Sequence, residues 1–314
     1  MRVCVIGFGV IGTIYGCVLA EAGHDVVHCV RLGRAAVLQG GVEVSLLDAR
    51  GGETKERRVS YRPELVEGLD GVGADVVLVS VRHYQKDELL PVLANGAGTA
   101  ELLFFNNLWT SLEPVDAQLR GRYLWGFPVA GGGYEDGVLE AALLPSVELG
   151  VVPGADRSRL KPLIDLFSGC GLEVEVQADM LAWLWTHFAV EAGVIATAIK
   201  AGGVDTFLAD VKCIQEAVLA VRDALAVVEA RGVDPRSVPD VQMLFAPERE
   251  VAEGIRELYA SDRAARKIME RHTGREELQR IYHDVLATGR KLGVQMPTLE
   301  PLEPFVDAFS IQRP

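Results

Sequence analysis

The sequence predicts an α/β fold: a doubly wound parallel sheet followed by an all-helical C-terminal domain. Three observations carry this reading. Short β-branched runs alternate with amphipathic segments through the first half, and a glycine-rich turn joins the first of these runs to the first helix. After Asp179 the strand signal gives way to long helical stripes. At 314 residues the chain exceeds one typical domain and suits two. The change of character sets their boundary between residues 1–178 and 179–314.

Taken in order, Val3–Ile6 reads as a buried strand and Val10–Ala22 as a helix closed by Gly23. Asp25–Val30 is a second strand. Gly40–Val59, more polar and glycine-bearing, reads as a hairpin or an irregular insertion. Ala74–Val81 and Glu101–Phe105 are further strands, and their alternation with helices implies parallel pairing. From Trp125 to Val152 the pattern is strand and turn, with a strand at Ser146–Val152. The run Gly131-Gly132-Gly133 is open to two readings, a plain loop or flexible backbone approaching a nicotinamide. Pro153–Asp156 reads as a turn before a helix at Arg157–Ser168. Beyond the boundary, Leu181–Ile199 is a long apolar helix. Val211–Arg231 sets Val211, Ile214, Val218, Val221, Leu225 and Val228 three or four residues apart, one face of a helix. Glu248–Tyr259 and Arg275–Leu292 complete the helical region.

Composition excludes several function classes. Thirty-one Lys and Arg against 44 Asp and Glu give a net charge of −13, the wrong sign for a surface that holds nucleic acid or anionic membrane. Five cysteines without C-x-x-C spacing read as reduced core thiols rather than a disulfide framework or a zinc site. No metal-ligand spacing and no G-x-S-x-G motif occurs. The first strand opens without an apolar leader, and no run of eighteen consecutive apolar residues is found. The expectation is a soluble, cytoplasmic chain with no membrane span.

Gly7-Phe8-Gly9-Val10-Ile11-Gly12 matches G-x-G-x-x-G directly after a strand and at the start of a helix. That context makes it a dinucleotide fingerprint of the Rossmann type. Gly7 permits the tight turn, Gly9 lets backbone approach a pyrophosphate, and Gly12 allows close packing of helix on strand. The diphosphate then rests on the free N–H groups and positive dipole end of the helix. NAD-binding domains place an acidic residue about twenty positions later. Here that position is Arg31, with Arg34 close behind. A guanidinium there holds a 2′-phosphate, which favours NADP(H) over NAD(H). The bland alternative makes Arg31 and Arg34 solvated loop residues.

Read together, the opening M-R-V-C-V-I-G-F-G-V-I-G, the later G-H-D-V and Arg31 resemble the ketopantoate reductase (2-dehydropantoate 2-reductase) family. Val79-Ser80-Val81-Arg82-His83-Tyr84-Gln85, Phe105-Asn106-Asn107, the Trp185-to-Ile199 helix, the Glu277 helix and Gly293-Val294-Gln295-Met296-Pro297 extend the resemblance over nearly the whole chain. It implies NADPH-dependent reduction of a 2-oxo acid. It places Arg82, Gln85 and Asn106 near the cofactor and Glu277 as substrate anchor. It also implies a homodimer.

The departures lie where the family carries its catalytic lysine. Leu184-Trp185-Thr186-His187 puts a histidine there, the expected asparagine four residues on is Glu191, and Ile195-Ala196 replaces a frequent Asn-Pro. Ala265 and Met269 stand where a serine and an acidic residue often contact substrate. His187 and Glu191, one turn apart on one helix face, form a candidate replacement dyad, because the glutamate favours the charged imidazole that would protonate an alkoxide. The other reading is a structural histidine packed between Trp183 and Phe188. The functional expectation is an NADPH-dependent reductase of a small 2-oxo acid or related carbonyl compound. Its rivals are reduction of another ketone or an imine on the same scaffold, and a non-catalytic NADP(H)-binding protein. His83 beside the cofactor region is a lesser candidate; His24, His28, His272 and His283 read as structural.

Overall fold

A computed structural model describes residues 1–153, 155–272 and 274–309. The chain divides into two compact units, Met1–Leu181 and the part from Ala182 onward. The turn expected at Pro153–Asp156 runs through Gly154, which lies outside the described residues.

In the first unit, β1 (Arg2–Ile6), α1 (Val10–Glu21) and β2 (Asp25–Cys29) follow the predicted strand–helix–strand order. A short α2 (Ala35–Leu38) leads to β3 (Val42–Asp48) and β4 (Lys55–Tyr61), an antiparallel hairpin within the Gly40–Val59 stretch. Next come β5 (Glu64–Val66), β6 (Val76–Val79), α3 (Lys86–Gly96), β7 (Glu101–Phe105) and α4 (Glu113–Leu119). The unit ends with β8 (Leu124–Glu135), β9 (Val138–Gly150), α5 (Leu160–Gly169) and β10 (Glu173–Gln177).

The strands form one sheet in the order β4-β3-β9-β8-β7-β6-β1-β2-β5, with β10 beside the end of β9. The segment from β5 to β8 is parallel throughout, and its strand order reverses between β1 and β6. That reversal opens a crevice at the carboxyl ends of the strands, where such sheets bind ligands. Val3, Val5, Val77 and Val79 are buried, as strands covered on both faces require.

Beyond β8 the mostly parallel sheet takes in antiparallel pairs. β8 and β9 are long antiparallel strands joined by Asp136-Gly137, both at positive φ, the geometry of a tight two-residue hairpin. Gly131-Gly132-Gly133 is neither a loop nor a flexible stretch. The three lie inside β8 opposite Ala142, Ala141 and Glu140. A methyl group on Gly132 would run into the Glu140 carbonyl and Ala141 of the neighbouring strand, so glycine serves close backbone approach.

Under the sheet, Tyr15 of α1 meets Phe105 edge-on at 4.6 Å, and Phe105 stacks on Phe167 of α5 at 5.6 Å. Phe104 stacks on Trp125 on another side, and the Trp125 Nε1–H donates to the Asn106 carbonyl (2.8 Å).

The second unit is helical. It comprises α6 (Met180–Lys200, entered from the first unit), α7 (Val204–Ala209), α8 (Val211–Ala230), α9 (Glu248–Ser261), α10 (Arg263–Arg271), α11 (Arg275–Leu292) and α12 (Glu303–Ala308). α6 and α8 cross at Gly193, where a side chain would strike the Val221 backbone. The predicted stripe of α8 is buried from Ile214 to Val228. Asp223 of α8 accepts from the Thr298 and Leu299 N–H groups, and Tyr282 of α11 donates to the Leu299 carbonyl, pinning the segment after α11. By length and composition, α6 is apolar enough to cross a membrane, which the search for unbroken apolar runs passes over. A core helix of a bundle has the same composition, and 56% of its most apolar window is buried.

Phe105 is 1% exposed and touches both Tyr15 and Phe167. Phe105→Ala is expected to destabilise the protein by about 3–5 kcal/mol, read as a lower urea midpoint with an unchanged m-value.

Candidate active site

The glycine fingerprint lies at the switch point. Gly7 holds φ +109°, a region that favours glycine, and its N–H donates to the Cys29 carbonyl (3.0 Å). A methyl group at Gly12 would come within 2.7 Å of Ser80 Oγ and 2.8 Å of the Gly7 carbonyl. Ser80 in turn donates to the Ile6 carbonyl (3.0 Å), tying the end of β6 to the end of β1. Gly9, the N-cap of α1, has no side-chain cap bond, and the first turn of α1 contains no acidic residue. A methyl group built on Gly9 meets no heavy atom within 4 Å. Backbone N–H groups and the positive helix end therefore face space that a diphosphate can use.

Phe8, Val10 and Ile11 pack against the core cluster of this unit. Phe8 meets His28 edge-on (5.0 Å). His28 is fully buried, and its Nδ1–H donates to the Gly7 carbonyl (2.8 Å) while Nε2 accepts from the Tyr61 hydroxyl (2.9 Å). Both bonds demand the neutral ring, and burial pushes the imidazole down to about 4. His28 lies within β2 rather than at its flank, and with Tyr61 of β4 it clamps the fingerprint turn. The sequence reading assigned it no such part, because Tyr61 is distant in the chain and sits in the hairpin insertion.

Arg31 is exposed just past β2. Its loop is held by Glu67, whose carboxylate accepts from the Ala35 N–H (2.9 Å); amides of Ala35, Gly33 and Arg34 hold the carboxyl below its ordinary range. Past β6, Arg82 donates to the Tyr84 hydroxyl (2.9 Å), and the Gln85 carboxamide oxygen accepts from the Arg82 N–H (3.3 Å). Buried Lys86, unremarked in the sequence, donates to Thr110 and Asp87 (3.0 Å each) and links this turn to the segment after β7. Asn106 donates from Nδ2 to the Val81 carbonyl (2.9 Å), and its Oδ1 is buried with no partner among the described residues.

These residues fit a nicotinamide dinucleotide. An uncapped helix start with open space at Gly9 suits the diphosphate, and an unsatisfied carboxamide oxygen at Asn106 waits for a donor.

In the second unit α6 brings His187 and Glu191 together, Nε2 to Oε1 at 3.5 Å. The imidazole lies flat on the Trp183 indole, with centroids 4.9 Å apart and an interplanar angle of 7°. Trp183 Nε1–H donates to Asp240 (2.8 Å). His187 and Trp183 border a cavity of about 230 Å³ whose other walls come from α7, α8, α9 and residues 238–244. Glu277, at the start of α11, faces His272 (3.6 Å) rather than that cavity, and His283 pairs with Asp307 (3.0 Å). Ala265 and Met269 lie on α10. Sequence reasoning missed Thr186, Asp240 and Tyr259 as cavity residues, since only tertiary packing gathers them.

A parallel sheet with a glycine fingerprint at its switch point, followed by a helical unit, defines a protein of Rossmann-type dinucleotide-binding architecture. Residues 3–151 match the family model of ketopantoate reductase PanE/ApbA. Over these residues, just under half of the chain, it is similar to the ketopantoate reductase family, a family of oxidoreductases. A 2-dehydropantoate 2-reductase of Pyrococcus horikoshii is 23% identical over 199 residues, and the alignment spans 62% of each chain, less than two thirds of that relative. Among solved structures, the 2-dehydropantoate 2-reductase of Geobacter metallireducens GS-15 superposes with a TM-score of 0.71 at 18% identity, covering 98% of this chain and 99% of that one. A D-mandelate dehydrogenase bound to NADH and anilino(oxo)acetate gives 0.69 at 15% identity, with 98% of both chains covered. At these identities the structures share the fold.

The clamp at His28 carries a pH signature. Folded, the ring titrates near 4; unfolded, near its ordinary 6.5. Between these values the unfolded chain binds the extra proton, so the contribution is intact above about pH 7 and is lost as pH falls from 6.5 towards 4. The loss sums to roughly 3 kcal/mol. Unfolding free energy measured from pH 7 to 4.5 is expected to fall less steeply in His28→Gln than in the parent; equal slopes would show that His28 is not the titrating group.

Proposed function

We propose that the protein is an NADPH-dependent reductase of a small 2-oxo acid or related carbonyl compound. One observation carries the proposal: an imidazole, His187, paired with a carboxylate and stacked on an indole, at the wall of an apolar cavity in a chain whose other unit has an uncapped fingerprint helix.

In this reading Gly7–Gly12 and the start of α1 hold the diphosphate. Arg31 pairs with the 2′-phosphate as a bidentate donor. Asn106 accepts from the nicotinamide end through its unpartnered Oδ1, while Arg82 and Gln85 frame that end through the turn they form. When bound, the reduced nicotinamide supplies a hydride to the carbonyl carbon. The developing alkoxide needs a proton, which a protonated His187 donates from Nε2 or Nδ1. Glu191 stabilises the imidazolium, and the Trp183 stack fixes the plane of the ring. Glu277, near the positive end of α11, anchors a polar group of the substrate. Trp183 is in turn oriented by Asp240, so rotating the indole would release the histidine.

Two measurements test the reading. His187→Ala is expected to lower kcat by about 100- to 10,000-fold while NADPH binding, followed by nicotinamide fluorescence, stays within twofold. Full turnover by this variant removes His187 from the reaction, and binding without turnover by the parent on any 2-oxo acid removes the reductase reading. Arg31→Ala is expected to raise KM for NADPH by about 10- to 100-fold and leave NADH kinetics nearly unchanged; equal effects on both cofactors would deny Arg31 the phosphate.

A further inference from the structure

We propose that Glu67 sets the cofactor preference of this chain by holding the loop that carries Arg31 in the shape that meets a 2′-phosphate. The assignment rests on the NADPH reading above and goes beyond it in naming a positioning residue that follows another strand.

The loop after β2 is fastened in stages. The Cys29 carbonyl accepts from the Gly7 N–H (3.0 Å), so the end of β2 moves with the fingerprint turn. The Val30 N–H donates to the Val66 carbonyl (2.8 Å) and carries the parallel pairing of β2 with β5 one step further. The Ala35 N–H then donates to the carboxylate of Glu67 (2.9 Å), the residue directly after β5. Between Val30 and Ala35 the chain makes a tight turn. The Arg34 N–H donates to the Arg31 carbonyl (3.0 Å), and Gly33 supplies the positive φ, +78°, that such a turn needs.

Glu67 is the fastening that the loop cannot supply for itself. α2 is four residues long, and its N-cap, Arg34, makes no side-chain cap bond, so the helix start takes its acceptor from across the sheet edge. The amides of Ala35, Gly33 and Arg34 converge on the carboxylate as a small anion nest and hold the carboxyl below its ordinary range. Arg31, Leu32, Gly33 and Arg34 are all exposed, so packing does not order them. With the nest empty, a glycine in an exposed turn leaves the backbone many alternatives.

The carboxylate is spent on backbone amides, and this sets the charge pattern of the loop. Neither Arg31 nor Arg34 pairs with a carboxylate among the described residues, so both guanidinium groups stay open to an anion. A 2′-phosphate is the anion that a dinucleotide brings to the end of the second strand. A bidentate guanidinium contact tolerates little misplacement, and a loop fixed beforehand loses less freedom on binding than one that must order around its ligand. NADH brings a hydroxyl to the same place and gains little from that order. Glu67 thus acts on one cofactor and not the other, through Arg31.

The test is titration of the full chain with NADPH and with NADH, followed by nicotinamide fluorescence, for the parent, Glu67→Ala, Glu67→Gln, Arg31→Ala and the double variant Arg31→Ala/Glu67→Ala. Glu67→Ala is expected to weaken NADPH by about 3- to 20-fold and NADH by less than about twofold. Glu67→Gln keeps an oxygen that accepts from the same amides, and its NADPH affinity is expected to lie within about threefold of the parent. Once Arg31 is alanine, Glu67→Ala is expected to cost NADPH nothing further, because the side chain it positions is gone. An equal loss for both cofactors makes Glu67 a structural residue only and overturns the proposal, as does unchanged or tighter NADPH binding by Glu67→Ala. A preference lost in Arg31→Ala but kept in Glu67→Ala overturns the positioning role and leaves the cofactor reading standing. A parent that binds NADPH and NADH alike defeats the cofactor reading, and the proposal with it.

Discussion

The first turn of α1 lies so close to the ends of β1 and β6 that no side chain fits at Gly12: its methyl group would meet Ser80 Oγ and the Gly7 carbonyl. Much of the first unit follows from this contact. It aims the helix start at the crevice where the strand order reverses, and it lets Ser80 bridge the two strands that border that crevice. A helix displaced outward by even one methyl group would point its dipole past the space at Gly9. The contact also explains why the turn is clamped from behind. The Gly7 carbonyl, packed against the first turn of α1, takes its hydrogen bond from the His28 Nδ1–H. Burial keeps His28 neutral, and neutrality lets it donate on one side and accept from Tyr61 on the other.

Local signals were the legible ones. The fingerprint, the strand β7 and the helix α11 could be read because turn chemistry and apolar periodicity are written within a few residues. The polar stretch at Gly40–Val59 was legible as a hairpin but not as part of the main sheet, since its pairing partner, β9, begins almost a hundred residues later. The glycine run at 131–133 misled for the same reason. Glycine next to glycine looks like flexibility until the Ala141 backbone of the neighbouring strand is seen filling the room that a side chain would take. Short helices such as α7 and α12, six residues each, lack the length for a periodic signal.

The candidate site divides along the same line. Gly7, Gly9, Gly12 and Arg31 could be picked out because spacing alone marks them. His28 could not, because its function lies in a bond to Tyr61 across 33 positions. Thr186 was read only as part of a motif around His187, and nothing local says that it borders a cavity walled by other segments. Glu277 stands in an intermediate position: the family resemblance marked it, and the structure gives it His272 as a neighbour.

A histidine in place of a lysine changes what the surroundings must supply. An ammonium on a flexible stem finds its own geometry and carries charge at neutral pH unaided. An imidazole is short and planar, reaches only what its ring plane faces, and is charged near neutrality only with help. In the reading proposed above, two residues of α6 within one turn serve these needs. Trp183, four positions earlier, sets the plane by stacking, and Glu191, four positions later, offers the carboxylate. The indole nitrogen in turn donates to Asp240, on the segment that follows α8.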